Sequence, residues 1–198
     1  SHDSRSEQKS SRSDSQCMQK PLRKKKMGLF QVVCMGLLAA VAQTQTQNCS
    51  VSTSPLIVAS TEDAGALATA LQCSNGDFAV EWVGEVFVEE EIYVTNGTSL
   101  NIAGAGPGAT ADGGGRARLF HVDEGSSLYL SDMTFTNGNA SSTGSGNGGA
   151  IVVDQATVSF TGIMSFISNY AGKGGGAIAA RNSTVSWRGN GTKFSNNS

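Results

Sequence analysis

One segment near the end of the chain combines a lysine with a cluster of glycines, the composition of a loop that binds phosphate. The segment reads GKGGGAIAA, and Lys173 stands directly before Gly174. A phosphate-binding loop requires G-x-x-x-x-G-K-[ST], in which the lysine follows the last glycine and a helix begins after it. Here the lysine comes first and a strand-like run follows. We therefore interpret the glycines as corner residues, which allow neighbouring chain segments to approach closely.

Acidic side chains and a single downstream histidine are the other candidates for chemistry. The acidic run 89–91 is expected to form a solvated edge, and His121 alternates with apolar neighbours, so we expect it to point outward from a strand. No nucleophile with a neighbouring base is evident, which argues against a catalytic triad or a zinc site. We therefore predict no catalytic residues, no metal site and no cofactor. A polysaccharide lyase or hydrolase remains an alternative, and it requires acidic and basic side chains that converge on one strand face.

The first 42 residues differ in composition from the rest of the chain. Residues 1–26 are polar and basic, which predicts a disordered extension or a gene-model artefact. Residues 27–42 read MGLFQVVCMGLLAAVA after a basic RKKK, the pattern of a secretory signal peptide that is cleaved before Gln43. The apolar run is shorter than the about 20 residues that a membrane span requires. We expect a secreted or cell-surface protein without a membrane span in the mature chain.

Cleavage at this point leaves an acidic protein. Residues 43–198 contain six lysine and arginine residues against thirteen aspartate and glutamate residues, a formal net charge of −7. Such a chain repels nucleic acid and anionic membrane surfaces. Arg116 and Arg118 form its only local basic pair, which is too little for a groove that follows phosphates. Nucleic acid is therefore excluded as an expected partner.

Two kinds of covalent modification are predicted for a secreted chain. Cys49 and Cys73 are the cysteines that remain after cleavage, and we predict that they form one disulfide, with two buried free thiols as the alternative. Sequons of the form N-x-S/T mark candidate N-glycosylation sites. They occur at Asn48, Asn96, Asn139, Asn182, Asn190 and Asn196.

Short secondary-structure elements are predicted to position the candidate residues named above. Residues 61–72 predict one helix, with Thr61 as its N-cap and one apolar face formed by Ala64, Leu67, Ala68 and Leu71. The rest of the chain is a series of short alternating strands between turns rich in glycine, serine and asparagine. We divide it into an N-terminal segment with a capping helix at 43–75 and a repetitive region at 76–198.

An internal repeat predicts how the strands are arranged. Gly148-Gly149-Ala150-Ile151 recurs 27 residues later as Gly175-Gly176-Ala177-Ile178, and the pair Phe166 and Asn169 recurs 28 residues later as Phe194 and Asn197. One copy cannot bury its own apolar side, but stacked copies can. The prediction is an all-β, right-handed parallel β-helix. Its expected inward columns are Leu128/Val158/Val185, Leu130/Phe160/Trp187 and Phe135/Phe166/Phe194.

Two details of each coil depend on smaller signals. In the G-G-A-I strand, alternation permits either the alanine or the isoleucine to face inward. Asn169 and Asn197 follow stacked phenylalanines, and we expect their amides to form a hydrogen-bonded ladder, because asparagine tolerates the left-handed corner and its amide both donates and accepts.

The repeat motifs also support a comparison with known families. The paired GGAI and F-x-x-N motifs resemble the repeats of polymorphic outer membrane proteins, and RLFHVDEGSSLYLSDMTFTNG resembles the pectin-lyase-like right-handed parallel β-helix superfamily. The resemblance covers roughly residues 60–198 and departs from the pattern at Gly138, where an asparagine is expected. It implies a β-helical extracellular region with a role in adhesion.

The leading functional hypothesis is a secreted, non-catalytic module that binds a polysaccharide or a cell-surface protein. The alternatives are a lyase or glycoside hydrolase of the pectin-lyase-like fold, and a purely structural repeat fragment. The chain ends directly after an F-x-x-N motif, so we expect the natural protein to be longer or its last strand edge to associate with a partner.

Overall fold

The described part of the chain forms a parallel β-solenoid of roughly five coils, with one short helix near its N-terminal end. The structure is a computed structural model that describes residues 55–73, 76–141, 145–189 and 191–198, all within the compact unit Asn48–Ser198. It confirms the predicted all-β parallel β-helix with a short capping helix. Cys49, Asn48, Asn190 and the proposed signal peptide lie outside the described residues.

Within the described residues, fifteen strands form three parallel sheets, each of which contributes one side of the coil. The six-stranded sheet contains β1 (Leu56–Val58), β2 (Asp77–Trp82), β5 (Ser99–Gly104), β8 (Ser127–Ser131), β11 (Thr157–Thr161) and β14 (Thr184–Trp187), in that order. The four-stranded sheet contains β4 (Ile92–Val94), β7 (Phe120–Val122), β10 (Ile151–Asp154) and β13 (Ile178–Arg181). The five-stranded sheet contains β3 (Glu85–Phe87), β6 (Thr110–Asp112), β9 (Thr134–Thr136), β12 (Ile163–Ile167) and β15 (Gly191–Ser195).

The predicted columns of like side chains align in register, and their members in the inner coils form the core, whereas Trp187 and Phe194 in the last coil are exposed. The registers align Leu128 with Val158 and Val185, Leu130 with Phe160 and Trp187, and Phe135 with Phe166 and Phe194. Phe135 and Phe166 stack with ring centroids 5.2 Å apart, and Phe160 stacks on Trp187 at 4.0 Å. Each such buried side chain contributes about 1.5–3 kcal/mol through removal of apolar surface from water, which no single coil could obtain.

The helix α1 (Thr61–Cys73) covers the first coil. Its buried residues Ala64, Leu67 and Leu71 form the predicted apolar face, and the helix packs against β1, β3 and β4. The predicted cap at Thr61 is wrong, because Ser60 occupies that position. Its Oγ accepts a hydrogen bond from the Asp63 backbone N–H at 3.2 Å and donates to the Asp63 carboxylate at 2.8 Å. This reciprocal arrangement requires a partner three residues downstream, which Ser60 has in Asp63.

The G-G-A-I segment resolves which side chain faces inward. Ile151 aligns with Phe120 on one side and Ile178 on the other, within the inward row of the four-stranded sheet. Ala150 is also buried, at the corner that precedes the strand. Gly149 lies where two coils approach closely: a Cβ at this position would be 2.2 Å from the Gly176 carbonyl oxygen. The glycine cluster is therefore a close-packed corner, followed by a strand.

The expected asparagine ladder is present at the corner that follows the five-stranded sheet. The Asn169 Nδ2 donates to the Asn197 Oδ1 at 2.9 Å and to the Phe135 carbonyl at 3.0 Å. The Asn169 Oδ1 accepts from the backbone N–H of Gly138, which occupies the ladder position in the coil below. Asn169 is fully buried, so these bonds replace those it would make with water.

Candidate functional site

The outer face of the four-stranded sheet contains a shallow groove that we call the His121 groove. Its floor follows the outward row of β4, β7, β10 and β13, which aligns Tyr93, His121, Val152 and Ala179; the last three line the cavity, and Tyr93 continues the row at its end. Ser145, Asn147 and Gly174 line it at the N-terminal ends of these strands, whereas Asp154 and Arg181 line it at their C-terminal ends. Its volume is about 460 Å³. A row of four floor positions at the spacing of parallel strands extends about 14 Å along the solenoid axis.

A buried arginine fixes the N-terminal edge of this groove. Arg118 is 1% exposed, and its Nη1 donates to the Glu91 Oε1 at 2.7 Å. Its Nε donates to the Gly148 carbonyl at 3.0 Å, and its Nη2 donates to the Ser145 Oγ at 2.8 Å. Because Glu91, Arg118 and Ser145 belong to three successive coils, one guanidinium holds all three together.

Glu91 corrects the expectation that the acidic run 89–91 is a solvated edge. Glu89 and Glu90 are exposed, but the Glu91 side chain is only 11% exposed. Burial acts to raise the pKa of Glu91, but the hydrogen bond with His121 and the positive charge of Arg118 outweigh it and lower that pKa. The physical reason is the coil geometry, which places Arg118 directly beside Glu91.

Tyr93 and His121 form an aromatic pair on the groove floor. Their ring centroids are 5.1 Å apart and their planes differ by 33°. The Tyr93 hydroxyl donates to the Glu91 Oε2 at 3.0 Å, and the His121 Nδ1 lies 3.5 Å from the Glu91 Oε1. Burial and the adjacent Glu91 charge raise the pKa of Tyr93, so this phenol stays protonated and keeps its hydrogen bond. His121 faces outward as predicted, with its side chain 26% exposed.

The opposite edge of the groove contains a surface ion pair. Two nitrogens of the Arg181 guanidinium, Nε and Nη2, donate to the Asp154 carboxylate, and the Nε contact measures 3.0 Å. The hydrogen bond from Arg181 lowers the pKa of Asp154, and the same contact raises the pKa of Arg181. The Arg181 side chain is 73% exposed, so water screens much of this attraction.

This arrangement is better suited to binding than to proton transfer. Glu91 is held ionised by partners that occupy both of its oxygens, so it is a poor general acid and has little freedom to act as a base. Asp154 is paired in the same way with Arg181. Among residues 55–73, 76–141, 145–189 and 191–198, no group of three or more histidine, cysteine or acidic side chains is placed to hold a metal ion.

The predicted modification sites that the structure describes lie away from the groove floor. Asn96, Asn182 and Asn196 are exposed. Asn139 differs, because its Nδ2 donates to the Gly115 carbonyl and its Oδ1 accepts from the Ser141 backbone N–H. Cys73 is exposed at the last residue of α1. Its pairing with Cys49 stays a prediction, because Cys49 is outside the described part of the chain.

Sequence reasoning missed the residues that build this groove, although a signal was present. Glu91 and Arg118 are 27 residues apart, Arg118 and Ser145 are 27 apart, and Asp154 and Arg181 are 27 apart. This spacing equals the repeat of the G-G-A-I motif. Charges of opposite sign that recur at the repeat period are therefore vertical neighbours in the solenoid.

Comparison of the chain with protein-family models, with curated proteins and with solved structures found no match. Within the part of the chain that the structure describes, no helix has the length and apolar character to cross a membrane. The structure therefore establishes a parallel β-solenoid, and the role of that solenoid has to be inferred from its surface.

Proposed function

We propose that this chain is a secreted or cell-surface, non-catalytic module that binds an extended polysaccharide or a cell-surface protein through the His121 groove. The observation that carries this proposal is the combination of an aromatic and apolar floor with polar groups held in fixed positions at both edges. Pockets of this composition bind ligands by apolar contact and select them by a few placed hydrogen-bonding groups. Tyr93 is 41% exposed and offers a ring face to such a ligand.

The rigidity of the edges supports this proposal. Arg118 fixes Ser145 and the Gly148 carbonyl, so little side-chain entropy is lost when a ligand contacts this edge. The resemblance to pectin-lyase-like β-helix proteins and to polymorphic outer membrane protein repeats is part of the same proposal. It agrees with the parallel β-solenoid and favours an adhesive role outside the cell.

A matched pair of variants tests the groove as the binding surface. Val152→Trp places a bulky ring in the centre of the floor. Ser159→Trp makes the same change on an outward position of β11 in the same coil, on a different sheet. The full chain is tested for binding to a broad panel of immobilised polysaccharides and to intact cells. We expect binding by the parent and by Ser159→Trp, and loss of binding by Val152→Trp. Absence of binding by the parent to every probe would contradict the proposal and favour a purely structural repeat.

A lyase or glycoside hydrolase is the second candidate, because Glu91, His121, Asp154 and Arg181 lie on one face of one sheet. Convergence of acidic and basic side chains is what such an enzyme requires. Incubation of the chain with uronic-acid polymers and neutral polysaccharides distinguishes the candidates. Unsaturated or reducing-end products that disappear in His121→Ala would replace the binding proposal with this one.

The proposed location follows from the signal-peptide pattern at 27–42 and has its own test. Expression of the chain from Met27 in a eukaryotic secretory host should deliver a protein to the medium that begins at Gln43. Retention of the apolar segment in a membrane fraction would contradict it.

A further inference from the structure

We infer that the ligand of the His121 groove is an electrically neutral glycan chain, not a polyanion; this inference rests on the proposed function. A groove for a polyanion needs cations that are free to meet the charges of the ligand. The two arginines of this groove are instead already paired with carboxylates of neighbouring coils. The pairing is the observation on which the inference depends.

Two guanidinium groups border the groove, and each is matched by a carboxylate. Arg118 donates to Glu91 and to two oxygens of the following coil, so each of its three nitrogens has a partner. Arg181 donates through two nitrogens to Asp154. The cost of burial makes the first pair difficult to separate, because removal of one partner leaves the other charge buried.

The remaining charges near the groove give no excess of positive charge. Asp123 directly follows Val122, which aligns with Val153, so Asp123 lies one coil from Asp154 at the same edge. Glu124 is exposed at the next position, and Lys173 is exposed beside Gly146 at the other edge. An anionic sugar that took Arg181 from Asp154 would leave two carboxylates, Asp154 and Asp123, facing the ligand. The formal charge of −7 on residues 43–198 adds a general repulsion of polyanions.

The same groove is better suited to a neutral sugar chain than to an anionic one. The apolar floor at Val152 and Ala179 and the ring of Tyr93 can cover sugar ring faces, which expose C–H groups. Ser145 accepts a hydrogen bond from Arg118 and keeps its own hydroxyl hydrogen for a ligand oxygen. Asn147 and Asp154 offer further donors and acceptors for sugar hydroxyls.

Paired probes test this inference on the full chain. Binding of neutral β-1,4-linked oligosaccharides and of oligogalacturonates of matched length is measured by calorimetry at low and at high salt. We expect binding of at least one neutral series, with an affinity that changes by less than about twofold with salt, and no binding of the uronates. The variant Asp154→Asn frees Arg181, so it should bind the uronates measurably, in a salt-dependent manner, where the parent does not.

The outcomes separate this inference from the proposed function. If the parent binds oligogalacturonates in a salt-dependent manner and Val152→Trp abolishes that binding, the groove is the binding surface but the neutral-ligand inference is wrong. If Asp154→Asn gains no affinity for uronates, Arg181 does not control the choice of ligand and the inference is also wrong. If neither class of sugar binds the parent, the glycan form of the proposed function fails as well.

Discussion

Replacement of Arg118 by methionine should destabilise the whole solenoid. Arg118→Met keeps an unbranched apolar side chain in place of the arginine stem and removes the guanidinium that joins Glu91, Ser145 and the Gly148 carbonyl. Arg118 is 1% exposed and Glu91 is 11% exposed, so water compensates poorly for the lost partner. Removal of one partner from such a pair costs about 3–5 kcal/mol, because the other charge is left buried.

The value for this pair should lie near the lower limit. Glu91 retains the hydrogen bond from the Tyr93 hydroxyl and has some contact with solvent. Loss of the Arg118 Nε leaves the Gly148 carbonyl without that donor, which adds about 1 kcal/mol. The total is then about 4 kcal/mol, and a chain of this length loses about 2–4 °C per kcal/mol, so we expect the midpoint of thermal unfolding to fall by roughly 8–16 °C.

Thermal and urea unfolding followed by circular dichroism measure this loss, and Arg181→Met is the matched control. Arg181 makes the same type of ion pair, but its side chain is 73% exposed. Loss of this pair should therefore leave the midpoint of unfolding nearly unchanged. Glu91→Gln combined with Arg118→Met should recover part of the stability, because it removes the uncompensated charge. If Arg118→Met unfolds at the same temperature as Arg181→Met, the buried guanidinium does not hold the coils together and the reasoning is refuted.

Three further predictions follow from the corners and from Glu91. Asn169→Ala leaves a buried N–H and a buried carbonyl without partners and should cost about 2–4 kcal/mol in urea unfolding. Asn197→Ala should cost clearly less, because Asn197 is only half-buried. Equal losses would argue against the ladder. Gly149→Ala places a Cβ 2.2 Å from a carbonyl oxygen and should lower the midpoint of thermal unfolding strongly. In Gly172→Ala the nearest atom to the new Cβ is 3.9 Å away, so this variant should be tolerated. Similar melting curves for the two variants would contradict the close approach at Gly149. The folded-state pKa of Glu91 is lowered from 4.5, so the contribution of Glu91 to stability is present above that pH and is lost as the pH falls through the folded-state pKa. The difference in unfolding free energy between the parent and Glu91→Gln should therefore shrink in acid. A difference that stays constant down to pH 2 would contradict this prediction.

The repeat made most of the fold predictable. Period-two alternation in TVSF and TVSW fixes which side chains face inward, and the spacing of 27 fixes which of them stack. The strand β6 was missed, because TAD lacks an apolar pattern and only Ala111 enters the core, beneath Phe135. The Ser60 cap was missed because Thr61 is an equally good capping residue by type. The choice between them depends on the Asp63 side chain, which closes the reciprocal bond with Ser60.

The candidate site was far less predictable than the fold. His121 and the G-G-A-I corner were located from local pattern, but Glu91 and Arg118 were read as an exposed run and a weak basic pair. Their interaction is non-local, and it becomes visible only when the charges are placed at the repeat spacing. The choice of ligand depends on how charges are paired on the folded surface, which composition does not contain.

The guanidinium of Arg118 also affects the order in which the coils unfold. In a solenoid each coil contacts only its neighbours, so unfolding can begin at one end and proceed coil by coil. Arg118 joins three consecutive coils, from Glu91 to Gly148, and we therefore expect them to exchange amide hydrogens as one cooperative block. The coils beyond this block, which include β13 to β15, should open first and independently.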